Sequence, residues 1–162
     1  MKTYIALLRG INVGGQKKMP MVEVRKMMTN IGFKDVQTYI QSGNIIYRSE
    51  SNSTIEMEGM IQGAIENTFG FDVPVLVKSV NEIQYILTKN PYNNENDLAK
   101  NRVYFVLLQD TPDAELVKTF KSMDFPNEKF MVFNTCVYLC CKNGYGKAKL
   151  SNNFIERKLK VK

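Results

Sequence analysis

Apolar residues in this chain come in short runs separated by glycine, proline and polar clusters, and their period switches between that of strands and that of helices. Residues 4–8, Tyr-Ile-Ala-Leu-Leu, have the length and composition of a buried strand. Pro20 suits a first helical position, and Met21, Val24, Met28 and Ile31 then recur at helical spacing until Gly32, a left-handed cap. Residues 36–41 and 45–48 read as two strands flanking the hairpin signal Ser42-Gly43-Asn44. Ser53-Thr54-Ile55-Glu56 is a capping box opening a second helix that ends at Gly70. Gly59 and Gly63 inside it cost about 1 kcal/mol each relative to alanine. Residues 75–78 form a strand behind Pro74, Ser79-Val80-Asn81-Glu82 caps a short helix ending before Pro91, and residues 90–101 read as a polar linker.

Strand, helix, strand, strand, helix, strand is the order of a ferredoxin-like unit. After residue 101 the order begins again. Tyr104-Phe105-Val106-Leu107-Leu108 echoes Tyr4-Ile5-Ala6-Leu7-Leu8. A helix from Thr111-Pro112 to about Met123 follows, then strands at 130–133 and 136–141 around Asn134-Thr135, and a helix capped by Ser151. The predicted fold class is α+β, with two ferredoxin-like (βαββαβ) subdomains in tandem built on antiparallel sheets, the second lacking its last strand. The expected organisation is a first subdomain at 1–79, a helix and linker at 80–101, and a second, degenerate subdomain at 102–162. The glycine-rich stretch after the first strand has no counterpart in the second unit, where Gln109-Asp110-Thr111-Pro112 stands instead. A loop that differs while its scaffold repeats points to function in the first unit.

Composition mainly excludes. The chain has no histidine, so no Ser-His-Asp triad, Cys-His dyad or imidazole relay can be built. Its three cysteines, Cys136, Cys140 and Cys141, lack the spacing of a disulfide framework and suit reduced thiols in a cytosol. Adjacent Cys140 and Cys141 point to opposite faces of a strand, no activating base is visible for either, and no metal site or cofactor is expected. No run of eighteen apolar residues exists, and the first residues do not form a signal peptide, so a cytoplasmic protein is expected. The net charge of +6 suggests an anionic partner, although a solvated basic helix near the C-terminus explains much of the lysine excess equally well.

The candidate site is where Arg9-Gly10-Ile11-Asn12-Val13-Gly14-Gly15-Gln16-Lys17-Lys18 meets Thr38-Tyr39-Ile40-Gln41-Ser42-Gly43-Asn44. A strand-helix-strand crossover makes the first two strands parallel, so Arg9 and Gln41 fall on one edge of the sheet, with the third strand fitting between. Arg9, Asn12, Gln41, Ser42 and Asn44 can then converge beside the backbone N–H groups of Gly14 and Gly15. No capping side chain precedes Pro20, and Lys17 and Lys18 sit near the positive end of the helix dipole, an arrangement that costs stability. A bound anion reverses that sign, because it satisfies free N–H groups and neutralises the lysines. The predicted ligand is therefore phosphate-bearing, a nucleotide or a nucleic-acid backbone. The competing reading is a tight turn whose glycines only permit positive φ. The loop is neither a Walker A motif nor a dinucleotide fingerprint. Tyr39 and Tyr47 could stack on bases, but aromatics in strands usually belong to the core. Met19, Met21, Met27 and Met28 read as core and surface of one helix.

Residues 7–15 and 38–44, with Lys149-Leu150-Ser151-Asn152-Asn153-Phe154-Ile155-Glu156 near the C-terminus, resemble a bacterial domain-of-unknown-function family, number 1697. The resemblance implies a small cytoplasmic protein with a ferredoxin-like first subdomain and a related second one, and it implies no activity. Members of that family continue past the last helix into a Thr-Arg-Asn-Trp stretch, whereas this sequence stops first and contains no tryptophan. Two alternatives stand beside the binding module. One is an acylphosphatase-like hydrolase in which Arg9 holds phosphate and Asn12 or Asn44 orients water, by fold analogy alone. The other is a structural module that pairs through its sheet, as a homodimer or on the second unit.

Overall fold

The computed structural model describes residues 1–161, which form two antiparallel sheets, of four and three strands, with helices packed on them. The chain divides into two compact units, Met1–Tyr85 and Ile86–Lys162.

The first unit runs β1 (Lys2–Leu8), α1 (Met21–Asn30), β2 (Lys34–Tyr39), β3 (Asn44–Ser49), α2 (Thr54–Phe69) and β4 (Val75–Ser79). Its strand order is β2-β3-β1-β4. β3 lies between β2 and β1, as the crossover argument requires, with Tyr4 opposite Tyr47 and Leu7 opposite Asn44. Alternation does the sorting. Tyr4, Ala6 and Leu8 of β1, Ile45 and Tyr47 of β3, and Val75 and Val77 of β4 are buried in one cluster. Met21, Val24 and Met28 of α1 join it, as do Met57, Ile61 and Ile65 of α2. Burying each such side chain contributes about 1.5–3 kcal/mol. Tyr47 is the largest fully buried side chain of this core, 4.5 Å from the Phe33 ring, and its hydroxyl lies 3.4 Å from the Met57 sulfur. Burial, then the neighbouring Tyr4 and Glu58, push its phenol well above the ordinary tyrosine range. All four methionines, Met19, Met21, Met27 and Met28, are buried, so none serves as the helix's surface.

The helix ends follow local chemistry. α1 closes with the Phe33 N–H donating to the Met28 carbonyl and the Gly32 N–H to the Thr29 carbonyl, with Gly32 at φ 102°. That is the Schellman arrangement, and buried Phe33 supplies its apolar contact. Pro20 stands one position earlier than expected: its ψ of 132° makes it the N-cap rather than the first helical residue, and it caps with no side-chain hydrogen bond. In α2 the Ser53 hydroxyl accepts from the Glu56 N–H and Gly70 closes the helix in the left-handed region. Ser79 and Glu82 exchange both bonds of a capping box, opening α3 (Val80–Thr88).

In the second unit the expected linker contains α4 (Glu95–Ala99), because the Asn94 side chain accepts from the Asn96 and Asp97 N–H groups and starts a turn. β5 (Val103–Leu107), α5 (Ala114–Lys121), β6 (Glu128–Phe133) and β7 (Cys136–Cys141) follow, then a 3-10 turn Tyr145–Lys147 and α6 (Asn152–Leu159). The sheet order is β5-β7-β6. α5 begins at Ala114, later than Thr111-Pro112 suggests, because the Asp113 carboxylate takes the N–H groups of Glu115 and Leu116. Ser151 caps α6 through the Phe154 N–H. Cys141 is buried in this unit's core and Cys140 is half-buried on the other face of β7. Among the described residues no helix is long and apolar enough to cross a membrane.

Candidate functional site

The glycine-rich stretch folds as a miniature hairpin. The Asn12 N–H donates to the Lys17 carbonyl (3.1 Å), and the Gln16 N–H to the Val13 carbonyl (3.0 Å). Gly14 and Gly15 occupy the turn at φ 58° and 74°. Positive φ at both central positions is the two-residue turn that glycine pairs favour, so the sequence folds this way locally for a steric reason. Both glycines are exposed, and their N–H groups make no backbone hydrogen bond among the described residues.

One side chain fastens this hairpin to everything around it. Asn12 Nδ2 donates to the Met19 carbonyl (3.0 Å) and to the Gln41 carbonyl (2.8 Å), while its Oδ1 accepts from the Met19 N–H (2.7 Å). The loop, the approach to α1 and the β2–β3 turn are thus held together by one amide. The backbone adds a second join, since the Leu8 N–H donates to the Gly43 carbonyl at 2.9 Å. Gly43, at φ 87°, has no room for a side chain: a Cβ there would lie 2.7 Å from Leu8 Cβ and 3.0 Å from Ile11 Cδ1.

The two stretches therefore meet at one rim of the first sheet. Arg9 is exposed there, with its N–H donating to the Pro74 carbonyl. The polar side chains are less free than their residue types suggest. Both amide hydrogens of Asn12 are used. Asn44 Nδ2 donates to Ser42 Oγ (2.8 Å) and to the Tyr39 carbonyl (3.3 Å). Lys17 Nζ donates to the Asp72 carbonyl at 2.6 Å, so this lysine bridges the hairpin to the entry of β4 and does not stand over the start of α1. Lys18 is exposed and has no ion pair among the described residues, and Gln41 is exposed in the β2–β3 turn. What remains open to a ligand is a pair of backbone N–H groups, Lys18 and the Gln41 side chain.

Three apolar residues at the same rim escape the sequence argument. β2 ends at Tyr39, so Ile40 and Gln41 lie in the turn and not in the strand. Tyr39 is 69% exposed, Ile40 59% and Val13 64%. Of the two tyrosines assigned to the core, only Tyr47 is there. Tyr39 pairs with Asn44 while its neighbour Thr38 pairs with the core residue Ile45, so Tyr39 stands on the sheet face turned away from the helices. Ile40 adopts φ 51°, a conformation that a β-branched residue reaches only under strain.

A family model described as a protein of unknown function, DUF1697, matches residues 1–138. Among solved structures, the chain is similar to the conserved bacterial protein SP0830 from Streptococcus pneumoniae. That similarity has 25% identity and a TM-score of 0.71 over 96% of this chain and 81% of that one. No curated protein matches.

Proposed function

The chain belongs to the DUF1697 family of proteins of unknown function, and we propose that it is a cytoplasmic binding module for a phosphate-bearing ligand, a nucleotide or a nucleic-acid backbone, at the rim of its first sheet. The observation that carries this reading is the pair of exposed Gly14 and Gly15 N–H groups, unpaired by backbone carbonyls, at the tip of a hairpin that Asn12 holds rigid. Donors fixed in advance cost little to reorganise when an anion arrives. Two or three charge-assisted hydrogen bonds, at about 1.5–3 kcal/mol each, support roughly millimolar to micromolar affinity after the costs of association. Exposed Tyr39, at the end of β2, offers a free π-face, which favours a ligand that carries a base.

The test is a titration of nucleotides, short RNA and inorganic phosphate against thermal stability. Stabilisation by at least one of them, reduced in Lys18→Ala and in Lys17→Ala/Lys18→Ala, is expected. No shift with all three ligands overturns the reading. The acylphosphatase-like alternative loses support, because Asn12 and Asn44 already use their amides internally. A homodimer formed through a face of the sheet is the competing structural reading, and sedimentation across a concentration series separates it. We also read the two units as tandem ferredoxin-like subdomains, at 1–79 and 102–162 around a segment at 80–101. The strand orders β2-β3-β1-β4 and β5-β7-β6 support that reading.

A further inference from the structure

The charge of this chain is not spread over it. Between Lys142 and Lys162 the sequence has seven lysines and arginines and one acid, Glu156, whereas residues 1–141 carry fifteen cations and fifteen anions. The whole net charge of +6 therefore belongs to the last stretch. The excess needs its own account.

The described part of that stretch is a built surface. The Tyr145 hydroxyl donates to Asn152 Oδ1 (2.6 Å) and accepts from the Asn152 N–H (2.8 Å), pinning the 3-10 turn to the start of α6. The Lys149 N–H donates to Glu128 Oε1 (2.5 Å), tying the intervening segment to β6. Lys142, Lys147, Lys149, Arg157, Lys158 and Lys160 are all exposed, and no ion pair with a carboxylate holds any of them among the described residues. Arg157 and Lys158 both stand against the Phe154 ring, at 5.4 and 5.7 Å. Arg157 and Lys160 line one open groove of about 580 Å³ together with Gln109 and two acids, Asp110 and Glu156.

Six unpaired cations on one pinned segment repel one another, and an anion array relieves that cost. The chemistry of this surface selects among polyanions. A helix that binds a bilayer must offer it an apolar face, but Ile155 and Leu159 of α6 are buried in their own unit's core. What α6 presents outward is Asn152, Asn153, Arg157 and Lys158, donors without an apolar stripe. We propose that the Lys142–Lys160 surface of the second unit binds the phosphate backbone of a nucleic acid. Such binding positions the chain without reading sequence. It rests on residues of the second unit alone and does not depend on the rim reading.

The experiment uses the full chain with a labelled single-stranded oligonucleotide of mixed sequence, the corresponding duplex, and phosphatidylserine vesicles, each over a range of salt. Oligonucleotide binding is expected, with the logarithm of the affinity falling by about 3 units per tenfold rise in salt if about four phosphates of a single strand are contacted. In Arg157→Gln/Lys158→Gln/Lys160→Gln that slope should flatten by about 2 units, with a parallel weakening of tenfold or more in low salt. Lys147→Gln/Lys149→Gln provides a second variant, and an unchanged melting temperature in either shows that folding is intact. The proposal is overturned by absence of oligonucleotide binding, by an unchanged slope in both variants, or by binding to vesicles alone. If the slope is unchanged in both variants while Lys18→Ala abolishes binding, this surface is discarded and the rim reading stands.

Discussion

Gly43 and Leu8 stand so close that the glycine's missing Cβ would lie 2.7 Å from the leucine's own. The contact is reinforced by the Leu8 N–H donating to the Gly43 carbonyl, and it brings the β2–β3 turn against the end of β1. Gly43→Ala must move backbone on one side or the other and also holds alanine at φ 87°. A loss of about 3 kcal/mol is expected, from strain and overpacking together. Urea denaturation measures it, and a loss below about 1 kcal/mol would show that the two turns are not so tightly joined.

Gly59 and Gly63 give the opposite sign. Both lie within α2, and an added Cβ meets nothing within 4 Å at either. Gly59→Ala and Gly63→Ala should each stabilise the protein by about 0.5–1 kcal/mol through helix propensity. The readout is a rise in denaturation midpoint with an unchanged slope.

Asn12→Ala removes two hydrogen bonds at the partly buried Met19 backbone and an exposed one to the Gln41 carbonyl, and leaves alanine at φ 53°. The expected cost is about 2–4 kcal/mol. Asn12→Gly loses the same bonds without the backbone strain and should be the milder of the two by about 1 kcal/mol. If both variants melt as the parent does, Asn12 is not the fastening residue.

Ile40 carries strain for no packing benefit, being exposed at φ 51°. Ile40→Gly should therefore raise stability by about 1 kcal/mol. A ligand titration of the same variant then separates two roles. Weaker binding alongside higher stability would mark Ile40 as a contact residue, and unchanged binding would make the strain incidental to the ligand.

Cys141 sets an alkaline limit. Burial, then the Glu128 carboxylate and Cys140, push its thiol up to about 11 from an ordinary 9.0. The folded state thus keeps a proton that the unfolded chain releases, so this contribution is complete below pH 9 and is lost as pH rises toward 11. Melting temperature should fall across that window, and less steeply in Cys141→Val. An identical fall in that variant would assign the alkaline limit to other groups, buried Tyr47 first.

Local free energies were readable in the chain itself. The Ser53, Ser79 and Ser151 caps, the Gly32 and Gly70 stops and the alternation of β1 and β3 each depend on residues within a few positions of one another, and each stands where the pattern places it. Even the meeting of the two loops followed from sequence, because a crossover leaves the ends of two parallel strands at one edge. The roles of the side chains at that rim were not legible. Residue type marked Asn12, Asn44 and Lys17 as ligand groups, yet their partners are carbonyls and a hydroxyl, several of them distant in sequence, that only folding brings within reach. Tyr39 shows the converse, since its strand propensity is that of a core residue while the register sets it opposite Asn44, on the sheet face turned away from the helices. Periodicity reports which face a residue takes within its own element. Whether another element covers that face, and whether a polar atom there is already satisfied, is settled by contacts across the whole fold.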